Sequence, residues 1–209
     1  MASTAAKKRA PIEAQDRRKQ ILRAAIDVFA ERGFHKTRVS DIARRAGVAY
    51  GLIYHYFPSK DAVLHAVFEE SWAIFLKVLQ EIAADGHRSS VEKIGAIADL
   101  LIGALRMDPA LIHVIIQEVS RSDRFGTPGK VEAFEQAFAI VRAIISAGQA
   151  AGEIRPELEP HAAAFLFFGA LETLCTGSMI GKIRCRTDQE AERLKRVVRT
   201  AVLDGFKER

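Results

Sequence analysis

An all-α fold follows from three features of this 209-residue chain. Apolar residues recur at helical spacing along nearly all of it, the breaks carry helix caps and stops, and no stretch alternates polar with apolar as a half-buried strand would. Helices are expected at residues 15–32, 38–46, 50–57, 60–84, 90–107, 110–122, 130–151, 160–180 and 188–207. The apolar share of 49% suits a sizeable core. Cys175 and Cys185 lack the number and spacing of a disulfide framework or a metal site, so free thiols in a reducing compartment are expected.

The first helix, 15–32, ends at Gly33-Phe34 after the apolar run to Phe29. In the second, Val39, Ile42, Ala43 and Ala46 fall at i, i+3, i+4 and i+7 and form one buried stripe. Thr37 is placed to cap its first turn, and Gly47 to end it. The third, Tyr50 to Phe57, stops at Pro58 because proline cannot continue a helix. Ile53 and Phe57 point one way, Gly51, Leu52 and His55 roughly the other, and Tyr50, Tyr54 and Tyr56 lie on the flanks. Two short helices joined by a tight glycine turn read as a helix-turn-helix whose outward face can meet a DNA groove.

The segment from Arg17 to Glu70 resembles the N-terminal domain of the TetR family of bacterial transcriptional regulators. The resemblance rests on Phe29 with Gly33-Phe34, the Thr37 cap, Asp41-Ile42-Ala43, Ala46-Gly47-Val48, and Gly51-Leu52-Ile53-Tyr54-His55-Tyr56-Phe57 followed by Ser59-Lys60. Carried over residue by residue, it implies DNA contacts from Thr37, Ser40, Tyr50, Gly51, Leu52, Tyr54, His55, Tyr56 and Lys60. Tyr50 departs from the small or hydrophilic residue that many members carry there. Charge agrees with a DNA partner: residues 1–60 hold 13 Lys and Arg against 5 Asp and Glu, net +8, whereas residues 61–209 hold 18 against 21, net −3.

Three regions are therefore expected: a disordered basic arm at 1–14, a DNA-binding domain at 15–60, and a helical effector-binding and dimerisation domain at 61–209. The helix from Lys60 runs from one into the next without a linker, and the segment Ser122 to Gly129 reads as a mobile connector. Ser89 with Glu92 and Thr187 with Glu190 have capping-box spacing, and Asp108-Pro109 starts another helix. On helix 110–122, His113, Gln117 and Ser120 make a polar stripe on an apolar rod, which serves as a solvent face or orients a ligand. In the second case Trp72, Phe75, Phe134, Phe138, Phe165 and Phe168 are the candidate walls, and resemblance to the acyl-CoA-sensing branch of the family implies Arg106, Arg121 or Arg124 for the phosphates.

The family resemblance implies such a cavity for a small molecule that changes the spacing of the DNA readers. The layout around Gln117-Glu118, Ala150 to Ile154 and Phe167 to Glu172 is similar to the branch that senses fatty acyl-CoA. A different apolar metabolite or drug, controlling an efflux or catabolic operon, fits the same inventory. For assembly, Leu194, Val197, Val198, Ala201 and Gly205 form a stripe with Val202 and Phe206 beside it, while Gly169, Ala170 and Gly177 let the preceding helix approach a partner closely. A four-helix homodimer interface is expected from these.

Together these features imply a homodimeric repressor that occupies a palindromic operator on double-stranded DNA and is released by a small apolar effector, with no cofactor. A nonspecific architectural DNA binder is the rival from another class. Helical enzymes are disfavoured, since no metal-ligand spacing, phosphate-binding glycine loop or nucleophile motif is present. The basic N-terminus has no apolar segment behind it, and Glu172 interrupts the most apolar run, so neither secretion nor a membrane span is expected and the location should be cytoplasmic.

Overall fold

The computed structural model describes residues 3–120 and 130–207, with side chains for 14–118 and 134–207. All regular elements among them are helical: α1 (Ser3–Arg32), α2 (Val39–Ala46), α3 (Tyr50–Tyr56), α4 (Lys60–Ala84), α5 (Ser90–Met107), α6 (Pro109–Ser120), α7 (Lys130–Ala150), α8 (Pro160–Met179) and α9 (Asp188–Val198). After α9 come a π-helical turn, Arg199–Leu203, and the short helical turn Asp204–Phe206. The expected connector at 122–129 lies outside the described residues.

The chain divides into two compact units, Met1–Ser71 and Trp72–Arg209. The boundary therefore falls inside α4 at 71 and not at 60, so that the buried Val63, Leu64, Val67 and Phe68 count with the first unit. α1 begins at Ser3, inside the segment 1–14 expected to form a basic arm. Ala5, Ala6, Lys7, Lys8, Arg9 and Ala10 are all good helix formers.

In the first unit α2 packs on α1 and on α3. Phe29, Ile42 and Ile53 are almost fully enclosed, each contributing about 1.5–3 kcal/mol relative to exposure. The stop of α2 is as expected: Gly47 has φ +65°, and the Val48 N–H reaches the Ala43 carbonyl at 3.0 Å. Its start is not. Arg38 occupies the cap position, the Asp41 carboxylate accepts the Arg38 N–H at 3.0 Å, and Thr37 is buried one residue earlier.

In the second unit α5 is central, packing against α6, α7, α8 and α9 and burying Ile94, Ile97, Ile102 and Leu105. Its capping box is formed: Ser89 Oγ accepts the Glu92 N–H at 3.2 Å and the Glu92 carboxylate accepts the Ser89 N–H at 2.8 Å. The same exchange joins Thr187 and Glu190 at the start of α9. α8 is long and apolar enough, by length and composition, to cross a membrane. Core helices of globular domains meet the same criterion, and α8 buries Ala163, Ala164, Phe167, Leu171 and Cys175 within its unit.

The C-terminal helix expected over 188–207 is interrupted. Ala191, Leu194 and Val198 are buried, then Leu203 and Phe206, so the buried stripe steps by five residues from 198 to 203. An i→i+5 turn makes that step. Leu194 and Val198, expected at a dimer interface, thus belong to the core of their own unit, while Val197 and Ala201 stay exposed and Val202 is half-buried.

Candidate nucleic-acid interface and cavity

α3 is held in place by Ile53 and Phe57, both buried, which leaves Tyr50, Gly51, Tyr54 and His55 exposed on its outer side. Leu52 and Tyr56 are half-buried, the Tyr56 ring lying edge-on to His55 at 5.2 Å. Ser40 is exposed on α2. The exposed residues present hydroxyl, imidazole and backbone groups suited to phosphate oxygens or base edges.

Two of the expected contacts are engaged elsewhere. Thr37 is only 2% exposed and its hydroxyl donates to the Gly33 carbonyl at 2.8 Å, so it fixes the turn between α1 and α2. Lys60 Nζ donates to the carbonyls of Phe34 at 2.8 Å and Thr37 at 2.9 Å, and lies over the Phe34 ring at 4.2 Å. Its charge thus secures the same turn. Three of the arginines are likewise engaged within the unit: Arg32 and Arg44 both pair with Asp41, and Arg45 with Glu31. The Arg38 backbone N–H, followed by these guanidinium groups, holds the Asp41 carboxyl below its usual range. Lys36 and Arg38 remain exposed beside α2.

The second unit contains a cavity of about 850 Å³, within the range of small-molecule sites. Its walls come from α4 (Trp72, Phe75), α5 (Leu101), α6 (Ile112, Ile115, Ile116), α7 (Phe134, Ala137, Phe138) and α8 (Phe165, Phe168, Leu171, Cys175). All six expected aromatic residues line it. They also brace one another: Phe138 stacks on Phe165 with centroids 4.2 Å apart and meets the edge of Phe168 at 4.9 Å, and Trp72 lies 4.5 Å from Phe134. Burial pushes the Cys175 thiol up to about 12, so it contributes a neutral, apolar surface.

Of the polar residues expected there, Arg106, His113 and Gln117 do not line the cavity. Arg106 pairs with Asp188 at 3.0 Å, tying the end of α5 to the start of α9. His113 and Gln117 bond to each other at 2.8 Å away from the lining. Ser120's side chain and Arg121 lie outside what is described.

Sequence reasoning missed the polar groups that are present. Glu135, Arg142, His161 and Glu172 line the cavity and are exposed, so they mark its opening between α7 and α8. A signal existed: residues 135, 138, 139 and 142 sit at i, i+3, i+4 and i+7, one face of α7, with the Phe138 already singled out among them. Gly169 was expected at a dimer contact but lines the cavity, and a Cβ there would meet nothing within 4 Å. Gly177 serves its own chain, since a Cβ would lie 2.7 Å from Ile183.

Residues 21–67 match the model of bacterial regulatory proteins, tetR family. The chain is 31% identical over 157 residues to the fatty acid metabolism regulator protein of Bacillus subtilis, covering 75% of this chain and 80% of that one. Its structure is similar to that of the transcriptional regulator FadR from Bacillus subtilis in complex with stearoyl-CoA, with a TM-score of 0.76 and 28% identity over 90% of this chain and 98% of the other. The fatty acid degradation regulator FadR from Bacillus halodurans gives a TM-score of 0.78 at 28% identity, over 92% and 97% of the two chains.

Proposed function

The chain belongs to the TetR family of bacterial transcriptional regulators, and we propose that it is a homodimeric repressor released from its operator by a fatty acyl-CoA. DNA binding is the work of α2 and α3. The observation that carries the ligand proposal is the cavity of about 850 Å³, walled among the described residues by aromatic and aliphatic side chains with its polar groups exposed. An acyl chain is the ligand class that such a wall desolvates favourably, at about 0.8 kcal/mol per buried methylene. At the opening, Arg142 and His161, which share it with Glu135 and Glu172, are the groups proposed to meet the anionic part that stays in water. The regulator crystallised with stearoyl-CoA, which resembles this chain over nearly its whole length, supports the same ligand class.

For the dimer, the surface that favours self-association is the exposed apolar part of α8 and α9: Leu166 at 66% exposure and Val197 at 47%, with Ala201 exposed beside Val197. Two-fold symmetry then sets two copies of α3 about 34–36 Å apart, one turn of DNA, for a palindromic site. Release needs a ligand that binds the DNA-competent and incompetent states unequally. α4 is the element for this coupling, since it carries Lys60 of the first unit and Trp72 and Phe75 of the cavity wall on one continuous helix. A DNA-binding regulator of this kind works in the cytoplasm.

The test begins with selection of genomic fragments by the purified protein, followed by titration of acyl-CoAs of graded length into the protein–DNA complex. The expected result is an inverted repeat, released by long-chain acyl-CoA at concentrations where free coenzyme A has no effect. Undiminished operator affinity at saturating acyl-CoA would overturn the ligand; salt-sensitive binding with no shared sequence would overturn specific reading altogether.

A further inference from the structure

The recognition helix carries a pair of tyrosines whose arrangement no core-packing role explains. Tyr50 and Tyr54 are one helical turn apart and remain 53% and 45% exposed. Their hydroxyl oxygens are 3.0 Å apart, a phenol–phenol hydrogen bond in which either can donate, and their rings meet edge to face with centroids 5.2 Å apart. Ile53 and Phe57 already anchor α3, so this pair stands outside the packing that holds the helix. Tyr54's hydroxyl also keeps its proton to a higher pH than usual, because of that bond to Tyr50.

A phenol supplies one O–H donor and two acceptor lone pairs. In the pair, one donor is spent between the two phenols and the other stays available, while the shared bond and the ring contact restrict both side chains. We propose that Tyr50 and Tyr54 act on the operator as one hydrogen-bonded unit, one phenol donating to the other and the second donating to an acceptor on the DNA. Tyr50 is then a positioning residue for Tyr54, or the reverse, and neither hydroxyl retains its full value alone. Fixing a side-chain rotor before contact lowers the entropy lost on binding, which is the physical gain of the arrangement. This inference rests on the DNA-reading role proposed above for α3.

A double-mutant cycle tests it, with Tyr50→Phe, Tyr54→Phe and the double variant binding both the selected operator duplex and a scrambled duplex of equal length. Phenylalanine keeps the ring contact, and both sites are exposed, so thermal midpoints should match the wild type. Each single change is expected to weaken operator binding about 3- to 10-fold, and the double change no further than the larger single loss. A loss confined to the operator identifies a base edge as the acceptor, and a loss on both duplexes a phosphate; the salt dependence should not change in either case, because no cation is removed. Losses that multiply in the double variant, or no loss in either single variant, would overturn the pairing. A wild-type protein with no preferred duplex would overturn the pairing together with the reading on which it rests.

Discussion

Gly169→Leu separates the two roles available to that glycine. The position lies in α8 on the cavity lining, with open space where a Cβ would go. Replacing glycine inside a helix removes a cost of about 0.5–1 kcal/mol, which in a chain of this size raises the thermal midpoint by roughly 2–4 °C per kcal/mol. The four carbons of the leucine side chain then occupy space that a long acyl chain would fill. Displacing about four methylenes at about 0.8 kcal/mol each costs about 3 kcal/mol, or roughly 100-fold in affinity. A chain shorter by about four carbons should bind much as it does to the wild type. Calorimetric titration with acyl-CoAs of increasing length should thus show the preferred length moving down, with operator affinity retained in the absence of ligand. An equal loss at every chain length, or a change of oligomeric state with ligand binding intact, would refute the placement of Gly169 in the ligand path.

Thr37→Val should lower stability by about 1–3 kcal/mol by leaving the Gly33 carbonyl without its hydroxyl donor, while the folded protein binds operator as before; lost DNA affinity at unchanged stability would instead make Thr37 a DNA contact. Lys60→Met should cost about 2–3 kcal/mol in chemical denaturation through the two lost carbonyl bonds. Its salt dependence of DNA binding should be unchanged, whereas loss of a phosphate contact would reduce the logarithmic slope by about 1. Asp41, Glu92, Glu159 and Glu190 are all held below the usual carboxylate range, chiefly by backbone N–H bonds. Their folded forms bind a proton more weakly than the unfolded chain, so their stabilisation is complete above about pH 4.5 and disappears as pH falls through the lowered values. The thermal midpoint should be level from about pH 7 to 5 and decline below that; a decline already between pH 7 and 6 would contradict the assignment.

The sequence by itself determined what depends on neighbours along the chain. Helix class, the Gly47 stop, the Ser89–Glu92 and Thr187–Glu190 boxes and the inward Ile53 and Phe57 are settled by spacing and local hydrogen bonds. The aromatic composition of the cavity was legible for a related reason: bulky apolar residues on amphipathic helices must face an interior, whether filled or hollow. Only the tertiary structure decided how polar groups are used, because a side chain's partner can lie anywhere in the sequence. Thr37 and Lys60 look like surface donors until the carbonyls of Gly33 and Phe34 come within reach, and Arg106 is paired by Asp188 from another helix. Likewise Leu194 and Val198 satisfy the periodicity of an intersubunit stripe, but the buried step from 198 to 203 requires a π turn that turns them into their own core. Periodicity gives a face; the fold alone determines what that face meets.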